Sequence, residues 1–359
     1  MNIGISWLAA GILFAGPLHA APEPGYDFLP LALNPATGEF PEGIALDRRG
    51  NLYYSLAPRG EIWQATPEGE LTLFAALDPD LPEGSNGALG LATGRGGVYA
   101  ALMACNATEC NDTHGVWRMP NSRHQVRLTG TEHIAFPNAL AFGRHGELYV
   151  SDTLTGAVWV LHRQRHRHGG TCRNGHGGPF SLPEIWVQDD VLLGTGALGL
   201  GAPIGANGLV YTRGATAGDD EVLVANTERG ALVAIPVESD GGAGMVEVVA
   251  EDPALLTIDG IAGDDYGDVL ALTVARVGAA GLEPVSQLLH VHRDSGEIRL
   301  LLAGPPLHFS TSLTFGSRGG TEESLFVTNW ALLAPLFGLT PEPGVLRINL
   351  EHTWFVAAE

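Results

Sequence analysis

No lysine occurs among the 359 residues, so all nineteen cations are arginine, and chemistry that needs a lysine nucleophile or Schiff base is excluded. Charge of any kind is scarce, at 16% of residues, and one-sided: forty acidic against nineteen basic side chains leave a net charge of −21. A surface of that sign repels nucleic acid and anionic lipid, which removes both as expected partners. Cysteine is nearly missing. Of the three present, Cys105 and Cys110 bracket the run CNATEC, a spacing that allows a small disulfide loop in an oxidising compartment and leaves Cys172 over. No CxxC pair suggests zinc. Long apolar runs are absent as well. The stretch from Ile5 to Gly16 falls short of the roughly twenty residues that a bilayer span requires. With the small residues Ala20 and Ala21 behind it, and although no basic residue precedes it, it reads as an export signal over residues 1–20. The expected product is a secreted or periplasmic protein, residues 21–359, without a stable membrane anchor.

What the chain does have is turn formers. Forty-nine glycines and twenty-three prolines accompany 45% apolar residues, the composition of a globular chain with many short elements. No segment carries a long amphipathic helical pattern, which disfavours a parallel α/β fold. Instead a motif recurs. The segment EGIALDRRGNLYYS (Glu42 to Ser55) aligns without gaps with NALAFGRHGELYVS (Asn138 to Ser151) and DGIAGDDYGDVLAL (Asp259 to Leu272). Each is an apolar strand, a turn containing Gly50, Gly146 or Gly267, and a second apolar strand, which predicts a β-hairpin. Looser copies are led by Ala88, Asn207 and Thr311. The leading positions 42, 88, 138, 207, 259 and 311 are spaced by 46, 50, 69, 52 and 52 residues, close to the length of a four-stranded propeller blade. Two more strand-like runs follow each hairpin, as in GEIWQAT and GELTLFAAL. The expected fold is therefore an all-β, six-bladed β-propeller with four antiparallel strands per blade. Its last blade is completed by either the N-terminal run YDFLPLAL or the C-terminal HTWFVAAE.

First strands of propeller blades line the central channel, so residues at the same place in each repeat converge. Around that ring stand Glu42, Ala88, Asn138, Asn207, Asp259 and Thr311. Two carboxylates and two amides suit a hard divalent cation, with water or substrate filling its remaining positions. Without a cation, burying two carboxylates together is costly. A single such residue would read as a turn former at a strand start; four in register point to a metal.

The motifs PEGIALDRRGNLYYS, FPNALAFGRHGELYVSD, GANGLVY and IDGIAGDDYGDVLAL resemble those of the SMP-30/gluconolactonase/LRE-like family, and more distantly those of paraoxonases and diisopropylfluorophosphatase, over nearly the whole mature chain. The resemblance implies one catalytic divalent ion held by Glu42, Asn138, Asn207 and Asp259: calcium (Ca2+), with Zn2+, Mn2+ or Mg2+ as alternatives. Gly260 follows Asp259 where paraoxonases have an asparagine, which places the chain nearer the gluconolactonase branch. Sugar lactonases supply polar substrate contacts from blade two, where this chain offers Ala88 with Asn86 nearby, so a sugar substrate is not implied.

Loops between second and third strands open beside the ring, and three are extended: MACNATECNDTHG in blade two, VARVGAAGLEPVSQ in blade five and NWALLAPLFGLTPEPG in blade six. The last holds Trp330, Leu332, Leu333, Leu336 and Phe337. A lid of that composition suits a substrate with apolar surface, such as an acyl or aromatic lactone or ester; packing on a neighbouring blade is the other reading, and shallow membrane contact a third. Substrate contacts are expected from Asn86, Asp152, Thr311, Trp330 and Phe337. His133 and His308, each a few residues before a ring position, are candidate general bases, and the family resemblance adds Asp259 as a possible activator of water. The histidine-rich run from His162 to Gly178 lacks regular ligand spacing and is expected to be a solvated insertion on the opposite face. The function expected is hydrolysis of a lactone or related ester, with a phosphotriester as a promiscuous substrate. The main rival is a non-catalytic propeller with a structural calcium that binds a small molecule or a protein. A strictosidine-synthase-like condensing enzyme would not need the ring of ligands.

Overall fold

Each copy of the repeat closes as a hairpin because its glycine turn accepts a conformation that other residues resist. In blade one the strands are Pro41–Leu46 and Leu52–Leu56. The Asp47 carboxylate between them accepts the backbone N–H groups of Arg49 and Asn51, and Gly50 lies at φ 85°, in left-handed space that glycine enters without penalty. Strands Glu61–Ala65 and Leu71–Ala76 complete an antiparallel sheet of four. The computed structural model describes residues 25–164, 180–199, 201–264, 267–316 and 324–350. Within them the four-stranded sheet occurs six times, and the chain is a six-bladed β-propeller. The first strands of blades two to six are Gly87–Gly94, Pro137–Phe142, Ala206–Thr212, Ile258–Gly263 and Ser310–Phe315.

The ring closes with the N-terminal run. Tyr26–Phe28 pairs antiparallel with Gly344–Asn349, Tyr26 opposite Ile348 and Phe28 opposite Leu346, so the last blade joins one strand from the start of the chain to three from its end. The alternative closing strand HTWFVAAE, the export signal and most of the His162–Gly178 run lie outside the described residues. The core lies between neighbouring sheets. Between blades three and four, for example, Tyr149, Val158 and Val160 pack against Leu209, Val222 and Val224.

Near the axis the first strands approach so closely that side chains are excluded. A Cβ on Gly43 would sit 2.3 Å from the Leu89 carbonyl oxygen, and one on Gly208 would sit 2.0 Å from that of Asp259; Gly90 and Gly260 meet the next blade in the same way. Hydroxyls stitch the same layer. Ser55 accepts the Gly43 N–H and donates to the Leu89 carbonyl, while Ser151 joins blade three to the Asn207 carbonyl and Thr328 joins blade six to that of Glu42.

The strand register corrects one assignment. In blade one Pro41 pairs with Leu56 and Ile44 with Tyr54; in blade two Ala88 pairs with Leu102 and Leu91 with Ala100. Ala88 is therefore the counterpart of Pro41, and Leu89, not Ala88, holds the place of Glu42. Gapless alignment by apolar pattern missed this because blade two has a glycine on each side of the Ala88–Leu89 pair.

All three long loops carry structure. Blade two's is closed by a Cys105–Cys110 disulfide and pinned by the buried Asp78, which accepts from Asn111 and Thr113. Blade five's forms a small hairpin, Arg276–Gly278 with Gly281–Glu283, and blade six's contains the 3-10 turn Ala334–Phe337. No helix among the described residues is long and apolar enough to cross a membrane.

Candidate metal centre at the channel mouth

Every first strand carries a register shift at its start, for example between Pro137 and Leu140 or between Ile258 and Ile261. Such bulges re-aim the residue they contain. In this way Glu42, Leu89, Asn138, Asn207, Asp259 and Thr311 come to one level of the channel. The four candidate ligands come from blades one, three, four and five. Glu42 (8% exposed), Asn138 (8%) and Asn207 (6%) are buried to similar depth, and Asp259 is somewhat more open.

The two amides are oriented by threonines that sequence reasoning did not single out. Asn138 Nδ2 donates to Thr153 Oγ1 at 3.1 Å, and Asn207 Nδ2 donates to Thr227 Oγ1 at 3.0 Å. Each hydroxyl has a single proton, already given to the next blade: Thr153 to the Ala206 carbonyl and Thr227 to that of Ile258. Each must therefore accept from its asparagine, which holds the amide N–H towards the threonine and leaves Oδ1 free to serve as a ligand. A signal was there to be read: SDT and ANT end the second strands of the two blades whose ring residue is asparagine.

The electrostatics fit a cation. Burial, with the charge of Asp259 added, pushes the Glu42 carboxyl well above the usual range. Burial also pushes Asp259 up to about 7, against a smaller pull downwards from the neighbouring Asn207 amide. Glu42 Oε2 and Asn207 Oδ1 are buried without a hydrogen-bond partner. Orphaned buried oxygens and a carboxyl raised both by burial and by the charge of its neighbour are what a hard cation resolves: it supplies the missing partner and offsets the repulsion. Two carboxylates and two amide oxygens form an oxygen set of the kind calcium takes.

The remaining candidates divide. The Thr311 hydroxyl donates to the Glu42 carbonyl, so it braces the ring. Asp152 is fully buried and accepts the backbone N–H groups of Ala135, Phe136 and Leu154 and the Trp159 indole. Its oxygens hold the chain entering blade three instead of standing ready for substrate. Asn86 is exposed just before the first strand of blade two, and His133 is exposed on the 3-10 turn Thr131–His133. His308 is half-buried and tilted against Phe309, with ring centroids 5.4 Å apart; burial lowers its pKa, while Glu342 pulls the other way. Phe337 packs 5.5 Å from Phe309 in a cluster with Ala275, Leu282 and Leu333, so much of the apolar loop covers its neighbour, whereas Leu336 is 78% exposed. The Trp330 indole N–H is buried without a hydrogen-bond partner. Thr257, Phe309 and Ala331, all on this rim, have positive φ values of 67°, 48° and 57°, a strained conformation for non-glycine residues that concentrates at functional sites.

Two other features lie away from the ring. The channel widens beyond it into a cavity of about 400 Å³ lined by residues such as Leu91, Phe142, Tyr211 and Phe315. At the far end of blade five, Asp264, Asp268 and His290 bring ligand atoms within 4.8 Å of one another, around a hairpin turn in which Asp264 Oδ1 accepts the Asp268 N–H.

No protein-family profile and no curated protein matches the sequence. Solved structures share the fold. A luciferin-regenerating enzyme is 13% identical and superposes with a TM-score of 0.58, covering 91% of this chain and 95% of its own. A gluconolactonase from Xanthomonas campestris is 14% identical at a TM-score of 0.55, over 88% of this chain and 87% of its own. Regucalcin, a calcium-binding protein from Agrobacterium tumefaciens, is 15% identical at 0.54, over 87% and 90%.

Proposed function

We propose that this propeller is a divalent-cation-dependent hydrolase of a lactone or related ester with apolar surface. The observation that carries the reading is the set of four oxygen-bearing side chains in register, two of them with buried oxygens that nothing among the described residues satisfies. Glu42, Asn138, Asn207 and Asp259 would hold calcium or another divalent cation. Bound there, the cation supplies a Lewis acid that polarises the scissile carbonyl and favours the developing oxyanion. Thr153 and Thr227 keep the amide oxygens aimed at the ring. Asp259 would take the proton of the attacking water, and His308, kept neutral near pH 7 by burial, is the second candidate base. The gluconolactonase and the calcium-binding regucalcin among the fold's relatives support the reading. Export is proposed as well: the Cys105–Cys110 disulfide suits an oxidising compartment, the one that the N-terminal apolar run would lead to.

The test is hydrolysis of a panel of sugar, aliphatic and aromatic lactones and aryl esters, before and after chelation and with calcium restored. Turnover that vanishes with the chelator and returns with calcium is expected. Calcium that raises the melting temperature while no lactone or ester is turned over would replace the hydrolase with a binding propeller.

A further inference from the structure

The blades that contribute no ligand decide what the ligands can act on. On each second strand the residue that follows the partner of the position before the ring is Ala57, Met103, Thr153, Thr227, Val274 and Trp330 in blades one to six, after Leu56, Leu102, Asp152, Asn226, Thr273 and Asn329. Thr153 and Thr227 reach the ring from this layer, so it is the next level outward. Blades three and four each present an asparagine at the ring with a threonine above it. Blade two presents Leu89 with Met103 above. Leu89, at 5% exposed, is as buried as the ligands, and it shares one apolar cluster with Met103, Ala57, Ile134 and Phe136. Blades six and two, the two without ligands, flank blade one. Ala57 and Met103, with Leu89 beneath, therefore make an apolar arc opposite the polar pair Thr153 and Thr227, and Trp330 continues the layer in blade six with an indole N–H that has no partner among the described residues.

We propose that Leu89 and Met103 are specificity-determining residues that select lactones or esters whose body beside the carbonyl is apolar and reject polyhydroxylated ones. This rests on the hydrolase reading and names its substrate class. A substrate whose carbonyl faces the ring and whose body extends towards blades one and two lies over the arc. Each hydroxyl pressed against Leu89 or Met103 gives up water and gains no partner, a loss on the order of tenfold or more in binding. An alkyl or aryl body loses nothing there and gains by burial.

The structure supplies its own control. Changing Leu89→Asn together with Met103→Thr installs in blade two the asparagine and threonine pair of blades three and four, so the new amide has a partner. The calcium-loaded wild type should hydrolyse dihydrocoumarin and δ-decalactone with kcat/KM at least about a hundredfold above that for glucono-δ-lactone, and the double variant should shrink that ratio at least tenfold. Binding of two unreactive analogues by calorimetry, an alkyl δ-lactam and gluconolactam, should show the same narrowing of preference without any turnover. A wild type that prefers the polyol lactone and lactam overturns the inference, whether or not the variant folds. So does a folded, calcium-binding variant with an unchanged preference. Selective lactam binding with no hydrolysis of any substrate would leave the arc's selectivity standing and defeat only the hydrolase reading.

Discussion

With Asp259 and Glu42 as the proposed ligands, the response to pH and the response to calcium become a single property. Without a cation, burial raises both carboxyls, Asp259 to about 7, and the charge of Asp259 raises Glu42 further. A folded-state pKa above the unfolded value favours the fold while the group is protonated. That contribution is full below the ordinary carboxylate range and is lost as pH rises through 7. Chelated protein should therefore melt at a lower temperature at pH 8 than at pH 5.5. Added calcium should restore more stability at pH 8 than at pH 5.5, and its affinity should fall on acidification as protons compete for the same oxygens. Thermal melts at the two pH values, with chelator and with calcium, check this; equal calcium effects at both would remove these carboxyls from the site. A finer test is Thr227→Val, which keeps the shape but releases the Asn207 amide from its fixed orientation. Calcium affinity should weaken roughly 10- to 100-fold, as outer-shell changes do, in a titration that leaves the sheet content unchanged.

At the scale of the element, the first strand is shaped by its neighbours as much as by its own residues. Gly208 leaves no room for a Cβ, which would meet the Asp259 carbonyl at 2.0 Å, and backbone cannot swing aside as a long side chain can. Gly208→Ala should cost about 1–3 kcal/mol in denaturant unfolding and weaken calcium binding by moving the blade-five ligand. An unchanged unfolding midpoint would show that the strands can part. The same closeness explains what the sequence conceals. Hairpins and blade count are legible because the apolar period, the turn glycines and the repeat length agree, and the four candidate ligands stand out because they lead those hairpins. The ring position of blade two is not, since Ala88 and Leu89 are both apolar and only their cross-strand partners distinguish them. The role of Asp152 is hidden for a related reason: an aspartate after a strand looks alike whether it faces a substrate or, as here, gathers backbone N–H groups. Thr153 and Thr227 matter through a proton already committed elsewhere, which residue type alone does not reveal.

At the scale of the molecule, stability depends on one short seam. Tyr26–Phe28 is the only strand of the last blade drawn from the start of the chain. Deleting residues 1–30 should leave Gly344–Asn349 as an open edge. The loss of about three strand hydrogen bonds, roughly 3 kcal/mol, should lower Tm by about 5–10 °C, with faster aggregation visible by light scattering. An unaltered melting curve would mean that another segment takes the vacated edge.

That seam also sets a clock. The first strand is made about 320 residues before its partner, so at a synthesis rate of about 5–20 residues per second Tyr26–Phe28 waits roughly 15–60 s before it can pair. Blades in between can fold as they emerge, but the circle stays open until Gly344–Asn349 has been made. Tyr26–Phe28 is thus synthesised first and seated last, and an agent that captures an extended segment has that interval in which to find it.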